Sequence, residues 1–231
     1  MQEDVWEDEY KNPKLIRLDN APTKAVVRFS KFLRKERGFS LSNINILDLG
    51  CGIGKNSLFL ADFDREINKA MGFDVSSTAL EHARRIAGEM GIKNADFQKQ
   101  SIGTAWQVDS STIDIILDVT SSNSLSEKER EVYLSEIQRV LKPGGYLFVR
   151  ALCKDGDANA KSLLKSNPGK EKDTYIMPEF GLIERVFSRE DLLATYAPVG
   201  EMLYLDKETH YSKFKGRIYK RNFWVGVWFR K

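Results

Sequence analysis

The sequence predicts an α/β domain of the doubly wound kind: a mainly parallel, seven-stranded sheet with helices on both faces and an antiparallel strand pair at its C-terminal end. The first observation behind this is an alternation between residues 44 and 152, in which short apolar runs are followed by longer amphipathic stretches. Strands alternating with helices imply right-handed crossovers and a parallel sheet covered on both sides. The second is size. A chain of 231 residues, 42% of them hydrophobic, suits one substantial core rather than two. The expected organisation is an N-terminal segment over 1–21, one domain over 22–231, and a variable segment at about 153–186 within it.

The elements follow in order. Residues 22–37 read as an amphipathic helix, with Val26, Val27, Phe29, Phe32 and Leu33 set among Lys24, Arg28, Lys31, Arg34 and Lys35, and Gly38 stops it. Residues 44–49 are a buried strand that enters the tight turn Gly50-Cys51-Gly52-Ile53-Gly54, and a helix begins near Ser57. A second strand over 69–75, a helix over 77–88 and a short third strand over 95–98 repeat the unit. A fourth strand over 113–119 and a helix over about 127–141 lead to the turn Lys142-Pro143-Gly144-Gly145 and a fifth strand over 146–152. Residues 153–173 are polar and interrupted by Gly156, Pro168 and Gly169, a loop with a short helix near 158–165. Ser188 then reads as a helix cap, with Glu190 and Asp191 in the first turn ahead of Leu192, Leu193 and Tyr196. Segments 201–207 and 222–230 form the antiparallel pair.

Charge is nearly balanced, 36 Lys plus Arg against 33 Asp plus Glu, so net charge neither demands nor excludes a polyanionic partner. Cys51 and Cys153 are the only cysteines and lack a Cys-x-x-Cys pair or a histidine cluster, which argues against a disulfide framework and against a metal site. No apolar run approaches the roughly 18 residues that span a bilayer, and the acidic start is unlike a signal peptide. A cytoplasmic setting is expected.

Three glycines at alternate positions between a strand and a helix let a ligand approach the backbone, while the following helix offers free N–H groups. Asp74 ends the second strand, where a carboxylate can accept hydrogen bonds from two ribose hydroxyls. A dinucleotide turn needs Gly-x-Gly-x-x-Gly, but its third glycine would fall at Lys55 or Ser57. The closer spacing suits a nucleoside with an amino-acid tail.

On these residues the chain resembles the class I, Rossmann-like S-adenosylmethionine-dependent methyltransferases, especially those acting on small molecules. Ile46-Leu47-Asp48-Leu49-Gly50-Cys51-Gly52-Ile53-Gly54 is similar to their first motif and Gly72-Phe73-Asp74-Val75-Ser76 to their second. Residues 113–118 resemble the fourth strand and 141–147 the turn before the fifth. The resemblance implies that Gly50, Gly52 and Gly54, with Asp48 and Cys51 in the same motif, line the methionine portion of the cofactor. It further implies that Asp74 holds the ribose, Val75 and Ile102 sandwich the adenine, and Asp118 lies near the methionine amino group. Where the family often has an acid for the adenine amino group, this chain has Ser101.

The cofactor supplies an activated methyl, so the protein must hold an acceptor in line and exclude water. Asp118 is the one weak candidate for a base, at the head of the polar run Thr120, Ser121, Ser122 and Asn123. Trp6 and Tyr10, four residues apart and followed by Arg17 and Asp19, read either as a lid over the site or as an aromatic staple docking the N-terminus on the core. Arg150, Tyr175, Glu184 and Arg185 flank the variable segment as possible substrate contacts, whereas His82 and His210 have no visible partner. The run Asp118-Val119-Thr120-Ser121 lacks the Asn/Asp-Pro-Pro-Tyr/Phe sequence of enzymes that methylate base amines. A small-molecule acceptor is therefore favoured. RNA or protein methylation using the aromatic-basic residues 213–221, or a non-catalytic cofactor-binding module, are the alternatives.

Overall fold

The computed structural model describes residues 2–36, 38, 42–63, 69–214 and 217–231. Two helices, α1 (Glu3–Lys11) and α2 (Lys24–Glu36), precede β1 (Asn45–Leu49), α3 (Lys55–Phe63), β2 (Lys69–Asp74), α4 (Ser77–Glu89) and β3 (Ala95–Lys99). The second half runs through β4 (Ile113–Val119), a 3-10 turn (Ser122–Ser124), α5 (Glu127–Val140) and β5 (Leu141–Leu152). It ends with α6 (Ala158–Ser166), β6 (Thr174–Ile176), β7 (Ile183–Arg185), α7 (Arg189–Tyr196), β8 (Glu201–Phe214) and β9 (Arg217–Phe229).

Seven strands make one sheet in the order β3-β2-β1-β4-β5-β9-β8, with the first five parallel and β9 antiparallel to both neighbours. Chain order reverses between β1 and β4, so a crevice opens where the two halves diverge at the strands' carboxyl ends.

The continuous apolar runs of β1 and β4 have a direct cause: both faces are buried. Ile46, Ile115 and Leu117 pack under α2 against Ala25, Val26, Phe29 and Leu33. Their neighbours Leu47 and Ile116 pack on the opposite face with Tyr133, Ile137 and Val140 of α5 and Leu192 and Tyr196 of α7. Removing the Phe29 side chain from such a site costs about 3–5 kcal/mol. A third cluster, Cys51, Ile53, Leu58, Leu80, Ala83 and Phe97, holds the glycine turn against α3 and α4.

Three features differ from expectation. The Lys-Pro-Gly-Gly stretch is not a separate turn: β5 begins at Leu141, and the extra residues are absorbed where pairing jumps from Ile113↔Leu141 to Ile115↔Tyr146. Residues 174–176 and 183–185 add a small two-stranded sheet. The C-terminal hairpin is much longer than 201–207 with 222–230, pairing through to Phe214↔Arg217, beyond the end of β5 at Leu152↔Phe223. Lys215 and Gly216 of the basic stretch lie outside the described residues.

Candidate functional site

The glycine turn and Asp74 converge. Cys51 donates its backbone N–H to the Phe73 carbonyl (2.8 Å), and Gly52 donates to Asp74 Oδ2 (2.8 Å). Asp74 Oδ1 accepts from the Ser76 backbone (2.9 Å). Burial pushes the Asp74 carboxyl above its ordinary range, while the N–H groups of Ser76, Gly52 and Val75 hold it down. Gly50 and Gly52 have φ of +65° and +56°, a region that favours glycine. The space is also closed to a side chain: a Cβ on Gly50 would lie 2.5 Å from Ser121 Cβ, and one on Gly52 would collide with the Tyr10 hydroxyl.

Beside this turn lies a cavity of about 180 Å³. Nine of the residues singled out from sequence line it: Trp6, Tyr10, Gly50, Asp74, Val75, Ser101, Ile102, Thr120 and Ser121. Cys51, Gly52 and Gly54 belong to the same turn and Asp48 to the end of β1, but none of the four lines the cavity. Thr120 follows β4 with φ of +65°, a strained conformation for a β-branched residue. Its backbone N–H is anchored to the Arg150 carbonyl at 2.7 Å.

Several expected residues are elsewhere. Asp118 is fully buried and faces the core. Its Oδ1 accepts from the Ser121 and Ser122 backbones (3.0 and 3.3 Å) and its Oδ2 from the Tyr133 hydroxyl (2.6 Å), so neither oxygen borders the cavity. Arg150 lies on the α2 side of the sheet, stacked 3.5 Å above the Phe223 ring and paired with Glu208 at 3.1 Å. The alternation of a strand explains this: Arg150 shares the face of Phe148, opposite to Val149 and Ala151. Tyr175 is buried under the small sheet, donating to Glu184 (2.6 Å) and accepting from Arg221 (2.9 Å). Arg17 and His210 are exposed, and His82 is half-buried on α4.

The roof is α1. Glu7 accepts from the hydroxyls of Ser76 (2.7 Å) and Thr78 (2.8 Å) at the start of α4, and Gln2 donates to the Ser124 and Ile183 carbonyls at 2.8 Å each. Burial opposes ionisation of Glu7, but these hydroxyls and Lys11 hold its carboxyl down at about 2. Glu9 Oε1 accepts from the backbones of Lys14, Leu15 and Ile16, folding the chain after α1 so that Ile16 reaches the cavity. Sequence reading missed Gln2, Glu3, Ile16, Gln100, Ser124, Leu125 and Glu129 among the lining residues. Only Glu129 carried a signal, as the third residue of a capping box with Ser126.

The donor set fits an adenosyl-amino-acid ligand. Gly50 leaves its backbone open to the cavity, Asp74 borders it with a carboxylate, and Val75 and Ile102 offer apolar surface. Asp48 adds a buried carboxylate whose Oδ2 has no hydrogen-bond partner and whose pKa burial pushes up to about 7, a group that a nearby cation would satisfy. No cluster of metal-binding side chains occurs among the described residues.

Residues 40–181 match the family described as "Methyltransferase domain". The chain is 32% identical to the sterol 4-C-methyltransferase strm-1 of Caenorhabditis elegans over 121 residues, 50% of this chain and 33% of that protein. It is 27% identical to the tRNA N(3)-methylcytidine methyltransferase Mettl2 of Drosophila melanogaster over 195 residues, 81% of this chain and 58% of that one. The chain thus spans about a third to three-fifths of the length of these two relatives. A crystal structure of an S-adenosylmethionine-dependent methyltransferase from Anabaena variabilis superposes with a TM-score of 0.69 at 21% identity, covering 99% of this chain and 95% of that one.

Proposed function

Because the chain belongs to the methyltransferase-domain family and is an S-adenosylmethionine-dependent methyltransferase domain, we propose that its acceptor is a small molecule bound beneath α1. The observation that carries this reading is the cavity that runs from the glycine turn to the underside of α1. Trp6, Tyr10, Ile16 and Leu125 give it aromatic and apolar walls, and among the described residues its bordering carboxylates are Asp74, Glu3 and Glu129. Concave, largely apolar sites with a few polar groups are those that take small ligands.

The cofactor supplies a methyl already activated by its sulfonium. In this reading the chain's residues do the positioning: Gly50, Gly52 and Asp74 fix the cofactor, Thr120 and Ser121 shape the wall beside it, and Trp6 and Tyr10 exclude water. The inward-facing Asp118 supports a mechanism that depends on proximity rather than on a dedicated base. Two buried free cysteines suit a reducing compartment, and no described helix is long and apolar enough to cross a membrane.

The test uses S-adenosylmethionine carrying a labelled methyl, incubated with the protein and a cell extract. Label recovered in the small-molecule filtrate is the expected result. Label retained on RNA or protein overturns the small-molecule assignment, and calorimetric titration showing no cofactor binding overturns the site itself. An RNA acceptor is the second reading, favoured by the tRNA-modifying relative. It predicts RNA binding with a steep salt dependence.

A further inference from the structure

We propose that the floor beside the cavity, formed by Asn123, Ser124, Arg130 and Arg185, is a binding site for an anionic oxygen group, a carboxylate or phosphate, carried by the acceptor.

The argument begins with hydrogen-bond bookkeeping. Buried polar groups are almost always partnered, because leaving one unsatisfied is costly. In this one region five donor positions have no partner: Asn123 Nδ2, Ser124 Oγ, Arg130 Nε, Arg130 Nη1 and Arg185 Nε. The residues belong to neighbouring elements, since the 3-10 turn packs on β7 and both guanidinium groups lie over the Phe187 ring, at 5.1 Å for Arg130 and 4.9 Å for Arg185. They are deeply placed, with Arg130 only 4% and Asn123 only 1% exposed.

The partners these side chains do have leave those donors over. Arg185 Nη2 is held by both oxygens of Asp191 (3.1 and 3.0 Å), but its Nε is left over. Arg130 Nη2 donates to the Leu125 carbonyl (3.0 Å), and no carboxylate among the described residues forms an ion pair with it. Asp118 attracts Arg130 from a distance, yet both its oxygens are occupied by Ser121, Ser122 and Tyr133. Glu129 is locked in its capping box with Ser126. Asn123 Oδ1 accepts from the Leu152 backbone (3.2 Å), which fixes its amide and leaves the Nδ2 end open. Burial and the neighbouring Arg185 both push the Arg130 pKa down, the signature of a cation lacking its counter-charge.

What is missing is a group with several lone pairs and negative charge. A carboxylate or phosphate oxygen accepts from guanidinium, amide and hydroxyl donors together, and guanidinium recognises such anions through paired N–H groups. Ser124 lines the cavity and also owns one of the unsatisfied donors, so the donor cluster adjoins the place where the acceptor would lie. The assignment rests on the reading that the cavity holds that acceptor.

The test measures the melting temperature and binding isotherms of the full chain in acetate or inorganic phosphate against chloride at matched ionic strength. The wild type is expected to bind and be stabilised by at least one of the two anions, and whichever is stronger indicates a carboxylate or a phosphate ester on the acceptor. Arg130→Met removes two of the five unpaired donors while keeping an apolar stem, and is expected to weaken anion binding at least tenfold. Asn123→Asp keeps the bond to Leu152 but replaces the open donor with a negative oxygen, and is expected to abolish the effect. It decides the matter should Arg130→Met fail to fold. No anion effect in the wild type, or an equal effect in both variants, overturns the proposal and leaves water as the partner. Calorimetric titration of S-adenosylmethionine into wild type and Arg130→Met separates the two readings: cofactor binding without an anion effect sinks only the anion site, whereas absent cofactor binding sinks the site from which it extends.

Discussion

At the scale of single residues, the site shows where chemistry departs from what folding alone favours. Thr120 holds a left-handed backbone that costs a β-branched residue about 1–3 kcal/mol, and it does so in the cavity wall. Thr120→Gly should therefore raise unfolding stability by about 1 kcal/mol, read from urea denaturation, while methyl transfer falls. A stability loss would show that the threonine side chain contributes more than its backbone costs. Asp48 makes the second case. Burial lifts its pKa from 3.8 to about 7, so the folded state holds a proton that the unfolded state releases. Stability contributed by that proton is complete below about pH 4 and disappears as pH rises through about 7. Asp48→Asn should become progressively more stable relative to wild type between pH 5 and pH 8, whereas a constant difference across that range would show that the carboxyl does not titrate there. Gly50 and Asp74 could be expected side by side from sequence because a turn motif fixes its own geometry, and both border the cavity. Sequence misplaced Arg150 and Tyr175 because nearness along the chain does not say which face of a strand a side chain takes.

At the scale of elements, α1 is the part whose meaning sequence could only suggest. Trp6 and Tyr10 marked it, but its position depends on contacts with residues far along the chain, Ser76, Thr78, Ser124 and Ile183, which no local pattern records. The length of β8 and β9 was hidden for a different reason: residues 209–222 are rich in polar and basic side chains and lack the apolar alternation that announces a strand. Glu7 is the pin that holds α1 to α4. Its pKa is lowered from 4.5 to about 2, so its stabilisation of the docked helix is present above about pH 4.5 and lost as pH falls toward 2. Glu7→Gln should speed amide hydrogen exchange throughout α1 at neutral pH and leave β1 and β4 unchanged. Deleting residues 1–20 tests the lid: cofactor affinity is expected to fall about tenfold, and undiminished affinity and turnover would reduce α1 to a structural cover.

At the scale of the whole molecule, the site is a seam between two halves of one sheet. β1 and β2 supply the glycine turn and Asp74, while β4 supplies Thr120 and Ser121 from the other side of the topological reversal. Ser121 already bridges them, donating its hydroxyl to the Leu49 carbonyl at the end of β1. A ligand seated there touches both halves at once, so its binding energy should stabilise the sheet as one cooperative unit and not merely order a loop. At a hundredfold excess over its dissociation constant a ligand adds about 2.7 kcal/mol, which for a chain of this size corresponds to a rise of roughly 5–10 °C in melting temperature. S-adenosylmethionine should produce that rise with a single calorimetric transition, and exchange protection should increase in β1, β4 and β5 together. Protection confined to α1 and the glycine turn would mean that the ligand closes a lid without joining the halves, and the seam would then be a matter of topology alone.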